Sequence, residues 1–207
     1  NVASAGAAAT ALVGWASRVP TESRTDISYV DALQTASDLA GLMPGSTSSA
    51  LRASLKQLRV SVFVIRTVRE QMRYDVPRLV VEAGKPFEIV LENDDFMPHN
   101  LVIVKPGARE AVGAAADVMQ PGALDREGRA YVPALPAVVG ATRLVESGNR
   151  ATLKLTAPTQ AGDYEYICTF PGHWPVMWGR LVVTTDVDDY LAKHPIAPAA
   201  GGTHAHE

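Results

Sequence analysis

At residue 59 the spacing of the apolar residues changes, and that change limits what the chain can fold into more than anything else in it. Beyond this point the spacing is two. In "RATLKLTAP", Ala151, Leu153 and Leu155 point one way while Thr152, Lys154 and Thr156 point the other. "KPFEIVLEN" repeats the pattern with Phe87, Ile89 and Leu91. A period of two is that of a strand with one buried face. "LRVSVFVIRTV", "HNLVIV", "ATRLVES", "DYEYIC" and "GRLVVTT" continue the series, separated by Gly, Pro, Asn and Asp. About seven or eight short strands with turn signals between them predict a mostly β chain, an antiparallel Greek-key β-sandwich. One helix interrupts them, "GAREAVGAAADVMQ", with Val112, Ala115 and Met119 on one side and Pro121-Gly122 ending it. Residues 121–140, with Pro121, Pro133 and Pro136, read as a long loop.

Before residue 59 the spacing is helical. Leu12, Trp15, Ala16 and Val19 share one face of a first helix, which Pro20 ends. Thr25 or Asp26 caps a second, carrying Tyr29, Leu33, Ala36, Ala40 and Met43. "PGSTSS" stops it and starts a third with Leu51, Leu55 and Leu58 in a stripe. Three such helices make a thin layer, expected to pack on something larger. The organisation predicted is a helical extension or linker over 1–58, a β domain over 59–186, and a short helix with a disordered tail over 187–207. The first residue is Asn, so the chain reads as a processed or excised piece. Residues 1–17 are uncharged but rich in Ala, Gly and Ser, and fall short of the ~20 strongly apolar residues of a membrane span. They also lack the basic start of a secretory signal. A net charge of −3 without any basic block gives no nucleic-acid surface.

The chemistry gathers in "CTFPGHWPVM", residues 168–177. Cys168 is the only cysteine, so it forms no internal disulfide and is structural, catalytic or a ligand. Cys168 closes a strand, Pro171-Gly172 turns the chain so that His173 points back, and Met177 returns on the far side. A fourth donor must come from another strand, and His99 in "DDFMPHNLVIV" is the natural candidate. Two imidazoles and a thiolate with a weak axial thioether are the donor set of mononuclear copper electron-transfer sites. Zinc accepts similar ligands but gains little from a thioether. An iron–sulfur cluster needs about four cysteines, and a dithiolate-bridged copper pair needs two. A buried cysteine taken alone is usually a small core hydrophobe, and Met177 alone is usually packing. Spacing and strand context together favour the metal.

These residues resemble a family. "CTFPGHWPVM" is similar to the copper loop of azurins, auracyanins and plastocyanins, the type 1 (blue) copper cupredoxins. The likeness runs from about residue 59 to 185 and takes in "QMRYD" (71–75), "MPHN" (97–100), "GATRLVESGNRATLKL" and the 107–119 helix. It implies His99, Cys168, His173 and Met177 as ligands of one copper ion, cycling between copper(I) and copper(II). It also implies that Asn100 ties the two ligand segments together, and that the Phe170 N–H donates to the sulfur. Pro98 stands where azurins carry a glycine whose carbonyl approaches copper, and the azurin disulfide is missing. Trp174, Pro175 and Trp178 are bulkier than usual there. The helical start resembles the linker before cupredoxin domains at the C-termini of large bacterial haem or dehydrogenase proteins.

The function implied is outer-sphere one-electron transfer, with no enzymatic activity. His173 would act as the port, with Phe96, Met97, Pro98, Trp174, Pro175 and Trp178 as an apolar docking collar. The partners implied are a c-type cytochrome or a dehydrogenase, in a periplasmic or other extracytoplasmic setting. Two rivals stand beside this reading. A copper enzyme of the nitrite reductase kind needs a second, histidine-rich copper, and only His194, His204 and His206 remain for it. A copper-binding or delivery module, an accessory domain of a larger redox enzyme, or a structural zinc site would use the same donors.

Overall fold

The computed structural model describes residues 2–20 and 23–195. The chain divides into two compact units, Asn1–Ser61 and Val62–Glu207. The first holds α1 (Val2–Ala16), α2 (Ile27–Gly41) and α3 (Gly45–Leu58). The helices bury apolar residues among themselves. Ala16, Tyr29, Leu33, Ala36, Leu55 and Leu58 form one cluster, and Ala9, Ala40, Met43 and Leu51 a second. Four of these ten buried residues are alanine, whose small side chains let the helices pack closely. Tyr29 donates its hydroxyl proton to the Leu58 carbonyl at 2.9 Å, joining α2 to the end of α3.

The second unit is a two-sheet sandwich. Its strands are β1 (Ser61–Val68), β2 (Arg73–Tyr74), β3 (Arg78–Glu82), β4 (Pro86–Glu92), β5 (Val102–Val104), β6 (Val138–Ala141), β7 (Arg150–Thr156), β8 (Gly162–Ile167) and β9 (Trp178–Thr184). Helix α4 (Arg109–Asp117) follows β5, and α5 (Val187–Lys193) follows β9. One sheet has the order β2-β1-β4-β7 and the other β3-β9-β8-β5-β6. The β4–β7 ladder sets Phe87, Ile89 and Leu91 opposite Leu155, Leu153 and Ala151, as their alternation requires. They face Leu79, Val81, Ile103, Tyr164, Tyr166, Leu181 and Val183 of the other sheet across one core.

Two features depart from the sequence reading. β3 and β9 pair in parallel, so the five-stranded sheet is mixed and not wholly antiparallel. A period of two states which face is buried and is silent on strand direction. β6 begins inside the segment read as a loop, just past Pro133 and Pro136, and ends at Ala141, whereas the rest of "ATRLVES" adds little beyond the single bridge His99↔Val145. The tail from residue 196 onward, read as disordered, lies outside the described residues.

Helix α4 lies on the outer face of the five-stranded sheet, where Val112 joins Val102, Val104 and Ile167 in a second apolar cluster. Val102, Val104 and Ile167 point away from the main core, so this sheet is covered on both sides at the end that carries the ligand loop. Gly179 on β9 leaves the space that the Tyr166 ring fills, and Tyr166 is itself fixed by its hydroxyl donating to the Val76 carbonyl. A methyl group at 179 would overlap that ring. Gly179→Ala is therefore expected to cost about 1–3 kcal/mol. Denaturant unfolding followed by tryptophan fluorescence checks this, and a midpoint equal to that of the unsubstituted chain would contradict it.

Candidate metal centre

The four sequence-predicted donors sit in the loops at one end of the core strands, Cys168 and Met177 directly beside β8 and β9. Cys168 directly follows β8 and continues its inward face after Tyr164 and Tyr166. The loop after it closes on itself. His173 N–H donates to the Phe170 carbonyl at 3.0 Å, Met177 N–H to the His173 carbonyl at 2.8 Å, and Cys168 N–H to the Met177 carbonyl at 3.0 Å. Gly172 makes the turn at φ +80°, in the left-handed region that a side chain rarely adopts. Cys168, Met177 and His99 are fully buried, and His173 exposes 2% of its surface.

The donor atoms converge. Nδ1 of His99 and Nδ1 of His173 each lie 3.6 Å from Cys168 Sγ and 3.2 Å from one another. Such a triangle has its centre about 2.0 Å from every corner, the length of a metal–imidazole bond and slightly under the ~2.3 Å of a metal–thiolate bond. His99, Cys168 and His173 are the one group of three or more metal-capable His, Cys, Asp or Glu side chains among the described residues. Met177 lies in the same apolar cluster as Cys168. The set fits a soft to borderline ion held in a trigonal plane.

Asn100 joins the two halves of the site. Its Oδ1 accepts from Thr169 N–H at 2.8 Å, and its Nδ2 donates to Thr169 Oγ1 at 2.9 Å. Its carbonyl accepts from the buried Tyr74 hydroxyl at 2.6 Å. Backbone N–H groups of Asn100 and Phe170 donate to the sulfur. Phe170 stacks at a tilt on His173, with ring centroids 4.9 Å apart. Pro98 is half-buried directly before His99.

The loop ahead of His99 holds residues that sequence reasoning missed. Asn93 donates to the carbonyls of Met97 and Val145, both at 2.8 Å, and accepts from Thr67 at 2.8 Å. Asp95, almost wholly buried, faces Nε2 of His99 at 3.1 Å. A carboxylate accepts only, so Nε2 carries the proton and Nδ1 presents its lone pair to the sulfur. That is the tautomer a metal requires. The only signal was the pair Asp94-Asp95 four to five residues before a histidine, and it does not say which of the two turns inward.

Of the expected collar, Phe96 is 62% exposed and Met97 42%, and Pro175 is exposed. Trp174 is half-buried against α4. Trp178 lies on the outer face of β9, with the Arg109 guanidinium 4.1 Å from its ring centre. These last two side chains are drawn to the α4 side of the sheet.

Burial governs the titration of the donors. It pushes the Cys168 thiol up to about 12, although the two N–H donors to sulfur oppose it. It lowers both histidines below the usual imidazole value, against the raising influence of Asp95, and His99 adds to the lowering of His173. Burial would raise the Asp95 carboxyl, but N–H bonds from Glu70 and Phe96, together with His99, outweigh it and hold it below its ordinary value. At pH 7 the apo site therefore holds one thiol proton and two neutral rings, and a metal ion must expel that proton. Metal uptake at pH 7 is expected to release about one proton per ion, as measured in weakly buffered solution with an indicator dye. Release near zero would contradict the protonated thiol. Asp95→Asn, which keeps an oxygen for the Glu70 and Phe96 N–H groups, is expected to weaken metal affinity about 10–100-fold in a competition titration. Unchanged affinity would remove Asp95 from the site.

A family model described as copper binding proteins, plastocyanin/azurin family, matches residues 62–184. Auracyanin-A of Chloroflexus aurantiacus is 36% identical over 116 residues, covering 55% of this chain and 68% of that protein. Outer membrane protein H.8 of Neisseria gonorrhoeae is 37% identical over 111 residues, but the match spans only 57% of its length and 50% of this chain. Azurin-2 of Alcaligenes xylosoxydans xylosoxydans is 31% identical over 121 residues, 54% of this chain and 89% of that protein. Among solved structures, auracyanin A of Chloroflexus aurantiacus, described as a "blue" copper protein, superposes with a TM-score of 0.54 at 32% identity. That superposition covers 61% of this chain and the whole of auracyanin A.

Proposed function

Since the chain belongs to the plastocyanin/azurin family of copper-binding proteins, we propose that it is a mononuclear type 1 copper carrier passing one electron at a time between partner proteins. His99, Cys168 and His173 would hold the ion, with Met177 as a further, weaker thioether donor. The observation that carries this reading is the triangle of Nδ1, Nδ1 and Sγ, whose sides of 3.2, 3.6 and 3.6 Å match the span of one ion's bonds.

Bound copper supplies a one-electron couple, and everything else falls to the protein. Cys168 would give the strong covalent link between metal and backbone. The N–H donors on its sulfur withdraw charge and favour copper(I), as does an uncharged thioether. Full burial of Cys168, Met177 and His99 excludes water from the donors. Electrons would pass through the narrow exposed edge of His173, beside the apolar surface of Phe96, Met97 and Pro175. Small apolar contacts of this kind suit brief encounters between redox proteins. A c-type cytochrome or a dehydrogenase is the proposed partner, and a periplasmic or similar extracytoplasmic compartment the proposed setting. Family kinship supports both. No helix among the described residues is long and apolar enough to cross a membrane. Residues 59–186 are proposed as the carrier domain, with 1–58 as its helical extension.

Loading the purified chain with copper tests the reading. One tightly held ion per chain is expected, with the intense blue thiolate-to-copper colour, reversible bleaching by reductant and recovery on oxidation. Cys168→Ser should abolish the colour, and Met177→Gln should keep it while lowering the reduction potential. A colourless, redox-silent complex would instead favour a storage, delivery or zinc-binding module. More than one tightly held copper would favour an enzyme.

A further inference from the structure

The ligand loop is held from outside the sandwich as well as from within it. Asp117, the last residue of α4, accepts two hydrogen bonds from the loop. The Gly172 N–H reaches its Oδ1 at 2.9 Å, and the Trp174 indole N–H its Oδ2 at 2.8 Å. These donors flank His173 on either side in sequence. One turn earlier on the same helix, Gly113 leaves the space that the Trp174 ring occupies, and a methyl group there would overlap the indole. Trp174 packs with Val112, Val102, Val104 and Ile167 in the apolar cluster under α4. Stability of α4 does not explain this arrangement. A carboxylate at the C-terminus of a helix faces the unfavourable end of its dipole, and glycine in a helix interior is destabilising relative to alanine. Both choices go against the helix and serve the loop.

We infer that α4 is a brace for the copper loop, and that Asp117, Gly113 and Trp174 are positioning residues holding His173 in one place in both oxidation states. The inference rests on the carrier function proposed above. Copper(I) and copper(II) prefer different geometries, and any ligand movement between them must precede each electron transfer. A group fixed beforehand adds no rearrangement at the moment of reaction. The loop's internal hydrogen bonds and the Asn100–Thr169 link fix its base at Cys168. His173 sits in the turn, where its N–H and carbonyl bond only within the loop itself, and the helix supplies an anchor from outside it.

The brace can be loosened from either side. Asp117→Ala removes both acceptors, and Gly113→Ala drives the indole out of its notch while leaving the carboxylate in place. In the copper-free chain, hydrogen exchange at the Gly172 amide is expected to accelerate about tenfold or more in both variants. Exchange at Thr169, which bonds to Asn100, should stay as it was. In the copper-loaded variants the blue colour should persist and the potential should move little. The electron self-exchange rate, measured by NMR line broadening, should fall about tenfold or more. Unchanged Gly172 exchange, or self-exchange at the unsubstituted rate, would overturn the brace. A wild-type chain that takes up no copper with blue colour would instead defeat the carrier reading, while the copper-free exchange experiment still judges the brace. Should neither variant fold, the Gly172 amide and Trp174 indole protons of the unsubstituted chain are read directly. Slow exchange at both supports the brace, and exchange as fast as in an exposed loop overturns it.

Discussion

The site depends on one hydrogen-bonded link between segments 69 residues apart, the Asn100 carboxamide to Thr169. Each partner is the immediate neighbour of a donor, Asn100 of His99 and Thr169 of Cys168. Without the link, the separation of Nδ1 and Sγ would be set by the β5–β8 ladder, which ends at Val102 and Ile167, and beyond it by side-chain packing tolerant of small shifts. A primary amide is well suited here because it accepts and donates at once, so one side chain matches both the N–H and the hydroxyl of Thr169. Thr169 passes the constraint outward, its hydroxyl reaching the Tyr131 carbonyl at 2.6 Å. Tyr74 passes it inward from the other sheet by bonding to the Asn100 carbonyl.

That rigidity has an electrostatic consequence. Three buried atoms rich in lone pairs are held 3.2–3.6 Å apart, with one thiol proton to share among them. Asp95 prevents His99 from relieving the crowding by changing tautomer, because its carboxylate already holds the Nε2 proton. Buried polar groups left without full partners cost free energy. The fold accepts that cost at this spot, and a cation replaces one proton with bonds to all three atoms. Binding energy is then folding energy for the surrounding loop, and metal affinity and local stability rise together.

The sandwich was legible because alternation reports burial directly, as in Ala151, Leu153 and Leu155. The parallel pairing of β3 with β9 was not, since alternation carries no direction. The donors were legible because soft-metal ligands are few in this chain and three lie within ten residues. Asp95 and Asp117 were not. Charged residues are common on any surface, and only three dimensions show that one is buried behind His99 and the other reaches across to a loop 55 residues away in sequence. Helix α4 was legible as a helix, yet nothing in the sequence set Gly113 apart. Its purpose belongs to Trp174, which approaches from another part of the chain.

Trp174 and Trp178 show most clearly that residue type does not give a side chain's direction. Both were read as walls of a docking collar because large apolar side chains beside an exposed ligand usually serve that end. Strand parity sets the direction of Trp178. Gly179, Leu181 and Val183 take the inner face of β9, so residue 178 must project from the outer one, where Arg109 packs on a ring that stays 39% exposed. For Trp174 the deciding fact is that an indole needs a partner for its N–H, and Asp117 offers one beside a notch shaped by Gly113. With both tryptophans drawn toward α4, Pro175 of the ligand loop and Phe96 and Met97 of the loop before His99 remain as the exposed apolar members of the expected collar. Phe96 carries the Arg69 guanidinium 4.5 Å from its ring centre, so this side of the surface is apolar with a cationic edge. The two sides of the ligand loop are therefore unlike. Trp174 is turned to α4, where it meets Asp117 and Gly113, whereas Phe96 and Met97 of the loop before His99 stay exposed.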